Sequence, residues 1–167
     1  MPQPKITYTD KNETGCCPVP NIKDWNESEV TWENKKFIKD NTINFLHIPL
    51  NMGAVIERMW KKIKDVKAET KTGEWMLLSY DPSAWKSERF ASVTKEVPNA
   101  ENVSISGTFL TKVFEGPYKD AGKWVQQMEE YVVEKNKKVK KLYFFYTTCP
   151  KCAKHYGKNY TIAFAQI

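Results

Sequence analysis

A carboxylate and an imidazole occupy matching positions in this sequence and are the first candidates for acid–base chemistry. Glu115 ends one alternating segment, directly before Gly116-Pro117-Tyr118, and His47 lies at the end of another, two residues before Pro49. A carboxylate placed among aromatic side chains suits a general base that activates water, which hydrolysis requires. We therefore predict Glu115 and His47 as catalytic residues. The alternative is that Glu115 caps the next helix and that His47 is an ordinary edge residue.

The cysteines form a second group with chemical potential. Cys149 and Cys152 are separated by two residues, and Cys16 and Cys17 are adjacent near the N-terminus. Two thiolates at the first spacing form half of a tetrahedral zinc site, which the other pair or His155 could complete. A redox-active or structural disulfide and unliganded thiols are the two alternatives. We predict all four cysteines as candidate ligands of a structural zinc ion, and no other cofactor.

The segment around Glu115 indicates a strand, a sharp turn and an amphipathic helix. Apolar residues alternate from Phe109 to Phe114, and Gly116-Pro117 then ends the strand, because proline suits a helix start but cannot donate a ladder hydrogen bond. After the turn, large side chains follow the i, i+3, i+4, i+7 spacing of a helix with one apolar stripe. These are Ala121, Trp124, Val125, Met128, Tyr131 and Val132.

The same order of elements is predicted twice along the chain. Glu115 and Pro117 lie 68 residues after His47 and Pro49, and Tyr160 lies 70 residues after Phe90. The predicted strands and helices are a strand at 37–48, a helix at 51–67, strands at 75–80 and 90–94, a strand at 105–114, a helix at 118–136, and strands at 142–148 and 160–166.

These elements predict an α+β fold, because each helix has one apolar stripe and each strand set has one face to cover it. We predict duplicated strand-helix-strand-strand units, 37–97 and 103–167, that form an antiparallel sheet with two helices on one face and a ligand cleft on the other. Residues 37–167 are predicted as a single domain. Residues 1–36, which are polar and contain Pro2, Pro4, Pro18 and Pro20, are predicted as an extended tail.

The predicted strands are rich in aromatic residues on both faces, which indicates that the helix-free face is also apolar. Such a face would form a cleft for a flat or hydrophobic small molecule. The alternative is that the tail or a second copy of the chain covers it, and we expect a monomer or a dimer. The predicted ligand-binding residues are Tyr118, Tyr146, Tyr80, Trp85, Phe144 and Phe109.

Charge and hydropathy exclude several classes of partner. The net charge is +6, but it comes mostly from lysine, and Arg58 and Arg89 are the only arginines, so we expect no direct DNA binding. No apolar run approaches the roughly 18 residues that span a bilayer, and the N-terminus lacks the apolar segment of a signal peptide. We therefore predict a cytoplasmic protein without a membrane partner.

The string from Gly107 to Tyr118, GTFLTKVFEGPY, followed by Ala121-Gly122 and a tryptophan-bearing helix, resembles the signature of bacterial GyrI-like small-molecule-binding domains. These are also the effector-binding domains of multidrug-responsive transcription activators. The resemblance implies a duplicated antiparallel sheet with two helices on one side and a ligand cleft between the halves. Members bind hydrophobic, often cationic compounds, some restrain DNA gyrase, and some hydrolyse reactive small molecules.

The sequence departs from this signature at the penultimate strand. The usual Glu-x-Tyr is Phe144-Phe145-Tyr146 here, so the tyrosine is retained and the acid that meets cationic ligands is not. A DNA-binding domain is also missing from the sequence pattern. We predict a stand-alone module that binds a hydrophobic or aromatic small molecule. The alternatives are a small-molecule hydrolase with Glu115 as general base and a protein-interaction module of the gyrase-inhibitor type.

The zinc interpretation makes a direct prediction for protein purified without a chelator. A closed site of zinc-finger strength retains its metal, so elemental analysis should find about one zinc ion per chain, and Cys149→Ser should lower that content. A zinc content below about half an equivalent would contradict the site. Thiol titration of the denatured protein then separates a disulfide from free thiols.

Overall fold

The computed structural model describes residues 22–71, 74–147 and 159–167. These residues form an α+β structure of mostly antiparallel strands with three α-helices and one short 3-10 turn. In chain order the elements are α1 (Ile22–Trp25), β1 (Ser28–Phe45), β2 (Ile48–Pro49), α2 (Met52–Asp65), β3 (Leu77–Tyr80), β4 (Lys86–Ser92), β5 (Glu101–Glu115), the 3-10 turn (Tyr118–Asp120), α3 (Ala121–Glu134), β6 (Lys141–Tyr146) and β7 (Tyr160–Gln166).

The chain divides into two compact units. The central unit is Trp32–Ser106, and the terminal unit combines Met1–Thr31 with Gly107–Ile167. The central unit contains most of β1 together with β2, α2, β3 and β4, and the terminal unit contains α1, most of β5, the 3-10 turn, α3, β6 and β7. Duplication of one ancestral unit stays a prediction.

In the central unit, β1 is flanked by β2 and β4, and β3 pairs with the other edge of β4, all antiparallel. The apolar stripe of α2 consists of Val55, Met59 and Ile63, as its helical spacing requires. This stripe is buried together with Ile38 of β1 and Ala91 of β4, which are register partners and therefore share one face of the strands. The core of the unit thus lies between α2 and that face.

An ion pair also joins α2 to β1. Arg58 donates from both Nε and Nη2 to the Asp40 carboxylate at 2.8 Å, a bidentate geometry. Partial burial opposes ionisation of Asp40, but the hydrogen bonds from Arg58 and from the Asn41 backbone N–H outweigh it and hold the pKa of Asp40 below its ordinary value. The stabilisation is therefore present at neutral pH and is lost as the pH falls through that lowered pKa.

In the terminal unit, β7 pairs with β5 on one side and β6 on the other, again antiparallel. Helix α3 covers one face of these strands with Trp124, Met128, Tyr131 and Val132. The strand residues buried with them are Leu110, Phe114, Phe144, Ala163 and Ala165. Because alternate strand residues point to opposite faces, the residues between them belong to the face away from α3.

The structure differs from the sequence prediction mainly near the N-terminus. Strand β1 begins at Ser28 and so includes residues 28–36, which were predicted to be part of an extended tail. The described part of that predicted tail also contributes Trp25 and Trp32, both buried. The first strand ends at Phe45, before the predicted end at Ile48, because a turn intervenes.

No helix in the described residues is both long and apolar enough to cross a membrane. Cytoplasmic location stays a prediction.

The packing of α3 predicts the outcome of two truncations on the same helix. Met128 is 0% exposed in the terminal core, so Met128→Ala should lower the free energy of unfolding by about 2–5 kcal/mol. Val133 is 67% exposed on the same helix, so Val133→Ala should change it by less than about 0.5 kcal/mol. Chemical denaturation measures both. Equal effects of the two variants would contradict the assigned face of α3.

Candidate functional site

The turn after β5 has a backbone that the sequence specifies closely. Gly116 has a φ of 142°, a conformation that side-chain-bearing residues rarely adopt, and Pro117 follows in an extended conformation. The Gly116 N–H donates to the Asn159 carbonyl at 3.1 Å, and Asn159 Nδ2 donates back to the Gly116 carbonyl at 2.9 Å. The turn is therefore held to the residue that precedes β7. These bonds also fix the backbone positions of Glu115 and Tyr118 on either side of the turn.

A column of aromatic side chains extends from this turn into the core of the terminal unit. We define the aromatic column as Tyr118, Tyr146, Phe144, Trp124 and Phe114. Neighbouring rings in this order have centroids 5.3, 6.1, 6.4 and 5.7 Å apart. Tyr118 is 38% exposed, whereas Phe144, Trp124 and Phe114 are buried. The column thus presents one aromatic end to solvent and is anchored by packing at the other.

A buried hydroxyl lies beside the column. Thr161 of β7 is the register partner of both Phe114 and Tyr146, so its side chain shares their face of the strands. It is fully buried, and its Oγ1 has no hydrogen-bond partner in the described part of the chain. An unpaired buried hydroxyl costs about 1–3 kcal/mol. Sequence reasoning did not identify Thr161, because a threonine in a strand carries no signal of its own.

Glu115 lies at the same turn but on the other face of the strands. It is the register partner of Tyr160, and β5 alternation places it opposite to Phe114. Glu115 is an exposed residue, and its role as a base among aromatic rings stays a prediction. Glu115 and Tyr118 are nevertheless separated by only two residues, so their Cα atoms are at most about 11 Å apart. One turn therefore carries an accessible carboxylate and an accessible phenol.

The start of α3 is poorly suited to bind an anion. A 3-10 turn precedes the helix, and the residue at the N-cap position is Asp120, which makes no side-chain capping bond. Lys123 Nζ lies 3.7 Å from its carboxylate. A carboxylate at this position already occupies the positive end of the helix, so it opposes the binding of a developing oxyanion there.

The face of the terminal unit away from α3 is apolar, as predicted. Its members Phe109, Tyr143, Phe145, Ile162 and Phe164 are buried. Trp25 packs against Phe164 with ring centroids 5.6 Å apart, and its carbonyl accepts a 2.7 Å hydrogen bond from Thr111 Oγ1. Part of this face is therefore covered by a residue of the predicted tail. Phe109 belongs to this buried face, separate from the aromatic column, and an open cleft here stays a prediction.

The remaining predicted site residues lie in the central unit, separate from Glu115 along the chain. His47 is in the turn Leu46-His47, where both residues have positive φ, and its N–H donates to the Ala84 carbonyl at 2.8 Å. It is exposed at a hairpin tip, not within a strand as predicted. Tyr80 ends β3 opposite Glu88 and is half-buried, and Trp85 packs against Phe45 with ring centroids 5.8 Å apart.

The predicted metal ligands Cys16, Cys17, Cys149 and Cys152 lie outside the described residues, as does His155. Within the residues that the structure describes, no group of three or more His, Cys, Asp or Glu side chains could hold a metal ion. The zinc site therefore stays a prediction.

The sequence matches one known protein family over nearly its whole length. The sequence model of a family described as bacterial hydrolase matches residues 7–167. The chain belongs to this bacterial hydrolase family. The match covers nearly the whole sequence, including both units and the Glu115–Tyr118 turn. It does not name the GyrI-like domains, so that resemblance stays a prediction.

Solved structures support the fold of this family member. A protein from Listeria innocua, described as an uncharacterized conserved protein, has a TM-score of 0.58 at 14% identity, covering 82% of this chain and 90% of that one. A hydrolase from Listeria innocua has a TM-score of 0.58 at 11% identity, covering 85% and 92%. Another hydrolase from that organism has a TM-score of 0.56 at 12% identity, covering 84% and 92%. Sequence identities this low establish a shared fold and do not establish a shared function. A comparison with curated proteins finds no match.

Proposed function

We propose that this protein is a hydrolase of a small aromatic or apolar molecule and that the reaction takes place at the Glu115–Tyr118 turn. The observation that carries the proposal is membership of the bacterial hydrolase family over residues 7–167. The turn is the proposed location because it joins an exposed carboxylate to the exposed end of the aromatic column. Binding alone is the second candidate, since the column would also hold a ligand that is not turned over.

The aromatic column supplies the binding energy in this proposal. A flat substrate that stacks on the Tyr118 ring extends a series of rings already supported by Tyr146 and Phe144. Aromatic pairs of this kind contribute about 0.5–1.5 kcal/mol beyond the area they bury. The column contains no carboxylate. Phe144 occupies the position at which GyrI-like domains usually have a glutamate. A neutral aromatic substrate therefore suits the column better than a cationic one.

Glu115 supplies the base. Its carboxylate takes a proton from water while the water oxygen attacks the electrophilic carbon of the substrate. The bond from that carbon to the leaving group then breaks, and the leaving group takes the electron pair and the proton. Glu115 is an exposed residue, so water can reach it. It leaves β5 on the face opposite to the aromatic column, so the proposal requires the substrate to extend around the turn from the Tyr118 ring to the carboxylate. In this proposal the phenol of Tyr118 donates a hydrogen bond to the substrate. His47 stays a separate catalytic prediction, because it belongs to the central unit and this scheme does not use it.

The proposal predicts that one substitution lowers kcat and that another raises KM. With 4-nitrophenyl acetate as the aromatic ester probe, Glu115→Gln should lower kcat by about 100-fold or more, because a general base contributes that much. KM should change little in that variant. Tyr118→Ala should instead raise KM, because it removes the stacking surface. Release of 4-nitrophenolate measures both constants. Glu129→Gln, an exposed carboxylate on α3, is the matched control and should behave as wild type.

The outcomes separate the two candidate functions. Turnover retained in Glu115→Gln would show that this carboxylate is not the base. Probe binding that requires Tyr118, with no turnover by the wild-type protein above that of the buffer, would favour a binding module. Binding that is indifferent to Tyr118→Ala would contradict the location at the turn.

A further inference from the structure

The central unit carries a concentrated apolar surface that the proposed reaction does not use. We define the hairpin patch as Ile43, Phe45, Leu46, Ile48, Leu50 and Trp85. These are six of the nine exposed large apolar side chains in the described residues, and each of the six is at least 55% exposed. Scattered exposed apolar residues are normal in proteins, whereas a contiguous group of this size marks an interaction site.

The register of β1 makes this exposure a fixed property of the hairpin. Near its end the usual alternation is inverted, because the polar Thr42 and Asn44 are buried while the apolar Ile43 and Phe45 face solvent. The buried pair is satisfied, since Thr42 Oγ1 donates to Asn44 Oδ1 and Asn44 Nδ2 donates to Ser87 Oγ. A one-residue slip would reverse both faces and break these bonds. The strand is therefore held with its apolar side chains outward.

The patch is also preformed. The Asn44 N–H donates to the Trp85 carbonyl at 2.7 Å, and the rings of Phe45 and Trp85 have centroids 5.8 Å apart. On the other side of the hairpin, the Leu50 N–H donates to the Ile43 carbonyl at 2.9 Å, and the Ile43 N–H donates to Asn51 Oδ1 at 2.8 Å. A surface fixed in this way loses little conformational entropy on binding.

The area and charge of the patch indicate its partner. Six large side chains that are mostly exposed present on the order of 600 Å² of apolar surface, so two patches together would bury about 1,200 Å², the lower limit of stable interfaces. Residues 43–51 contain no Asp, Glu, Lys or Arg, although 28% of the chain is charged. The exposed Lys86, the register partner of Ile43, lies at the rim of the patch. The apolar centre can therefore face its own copy without repulsion, whereas a membrane-surface site usually places several lysine or arginine residues beside its apolar residues.

We propose that the hairpin patch is a homodimer interface, in which the patch of one copy packs against the same patch of a second copy about a twofold axis. Phe45 and Trp85 form its aromatic centre, a composition typical of interface hot spots. The interface involves only residues 43–50 and Trp85, so it is independent of the proposed hydrolysis at Glu115.

Sedimentation velocity of the full chain tests the interface. Wild-type protein should form a dimer within a series from about 1 to about 100 µM, the range expected of a small standard interface. Leu50→Glu places a charge in the patch and should weaken the dimer at least about 100-fold, so that the variant is a monomer throughout the series. Val133→Glu is the control, because Val133 is equally exposed, at 67%, on α3 and should leave the dimer intact.

Circular dichroism establishes that each variant is folded, and Leu50→Ser, which adds no charge, provides a milder substitution that should also weaken the dimer. A wild-type monomer at about 100 µM would overturn the proposal. A dimer that survives both Leu50 variants would overturn it too, because another surface would then form the contact. Binding of monomeric protein to neutral phosphatidylcholine vesicles through the patch would identify a lipid surface as the partner instead.

Discussion

The pairing of β5 with β7 determines what each face of the terminal unit can do. Phe114 lies opposite Thr161, and Glu115 lies opposite Tyr160. Because side chains alternate, this register puts Phe114 beneath α3 and sends Glu115 to the other face. A shift by one residue would exchange the two and expose the core. The burial of Leu110, Phe114 and Ala163 against α3 therefore also fixes the position of the candidate base.

The exposed apolar residues of the two units differ in how they relate to the core beneath them. In the terminal unit, the exposed Tyr118 is the end of a packed series of rings, so the surface feature and the core are continuous. In the central unit, the exposed residues lie on the reverse side of a buried polar strand segment, Thr42 and Asn44, and are not continuous with the core beneath α2. The first arrangement suits a small flat molecule, and the second suits a broad protein surface.

The sequence predicted the elements with strong periodicity and missed those without it. The spacing from Ala121 to Val132 and from Val55 to Ile63 located both long helices, and β7 was predicted with its observed bounds. The first nine residues of β1, SEVTWENKK, are too polar to indicate a strand by themselves. Strand formation at such residues depends on their neighbours in the fold more than on local residue preference. The turn at Leu46-His47 was also missed, since neither residue favours the positive φ that both adopt.

The candidate site was predictable only as a location. The Glu-Gly-Pro-Tyr string indicated the turn, and Tyr118, Tyr146 and Phe144 do lie together there. Aromatic residues on both strand faces could not distinguish an open cleft from a packed core, because both require the same composition. The structure shows the face containing Phe109 buried, with Trp25 covering part of it. Coverage of this face by the tail was the alternative that the sequence left open, and the contact of Trp25 with Phe164 agrees with it.

The location of the reaction is the central claim, and a crystal structure of the Glu115→Gln variant soaked with 4-nitrophenyl acetate tests it most directly. Electron density is expected for an aromatic ring stacked on Tyr118, with the ester group within reach of the side chain at position 115. Density for the ester against Phe109 and Tyr143, or at the hairpin patch with none at Tyr118, would contradict it.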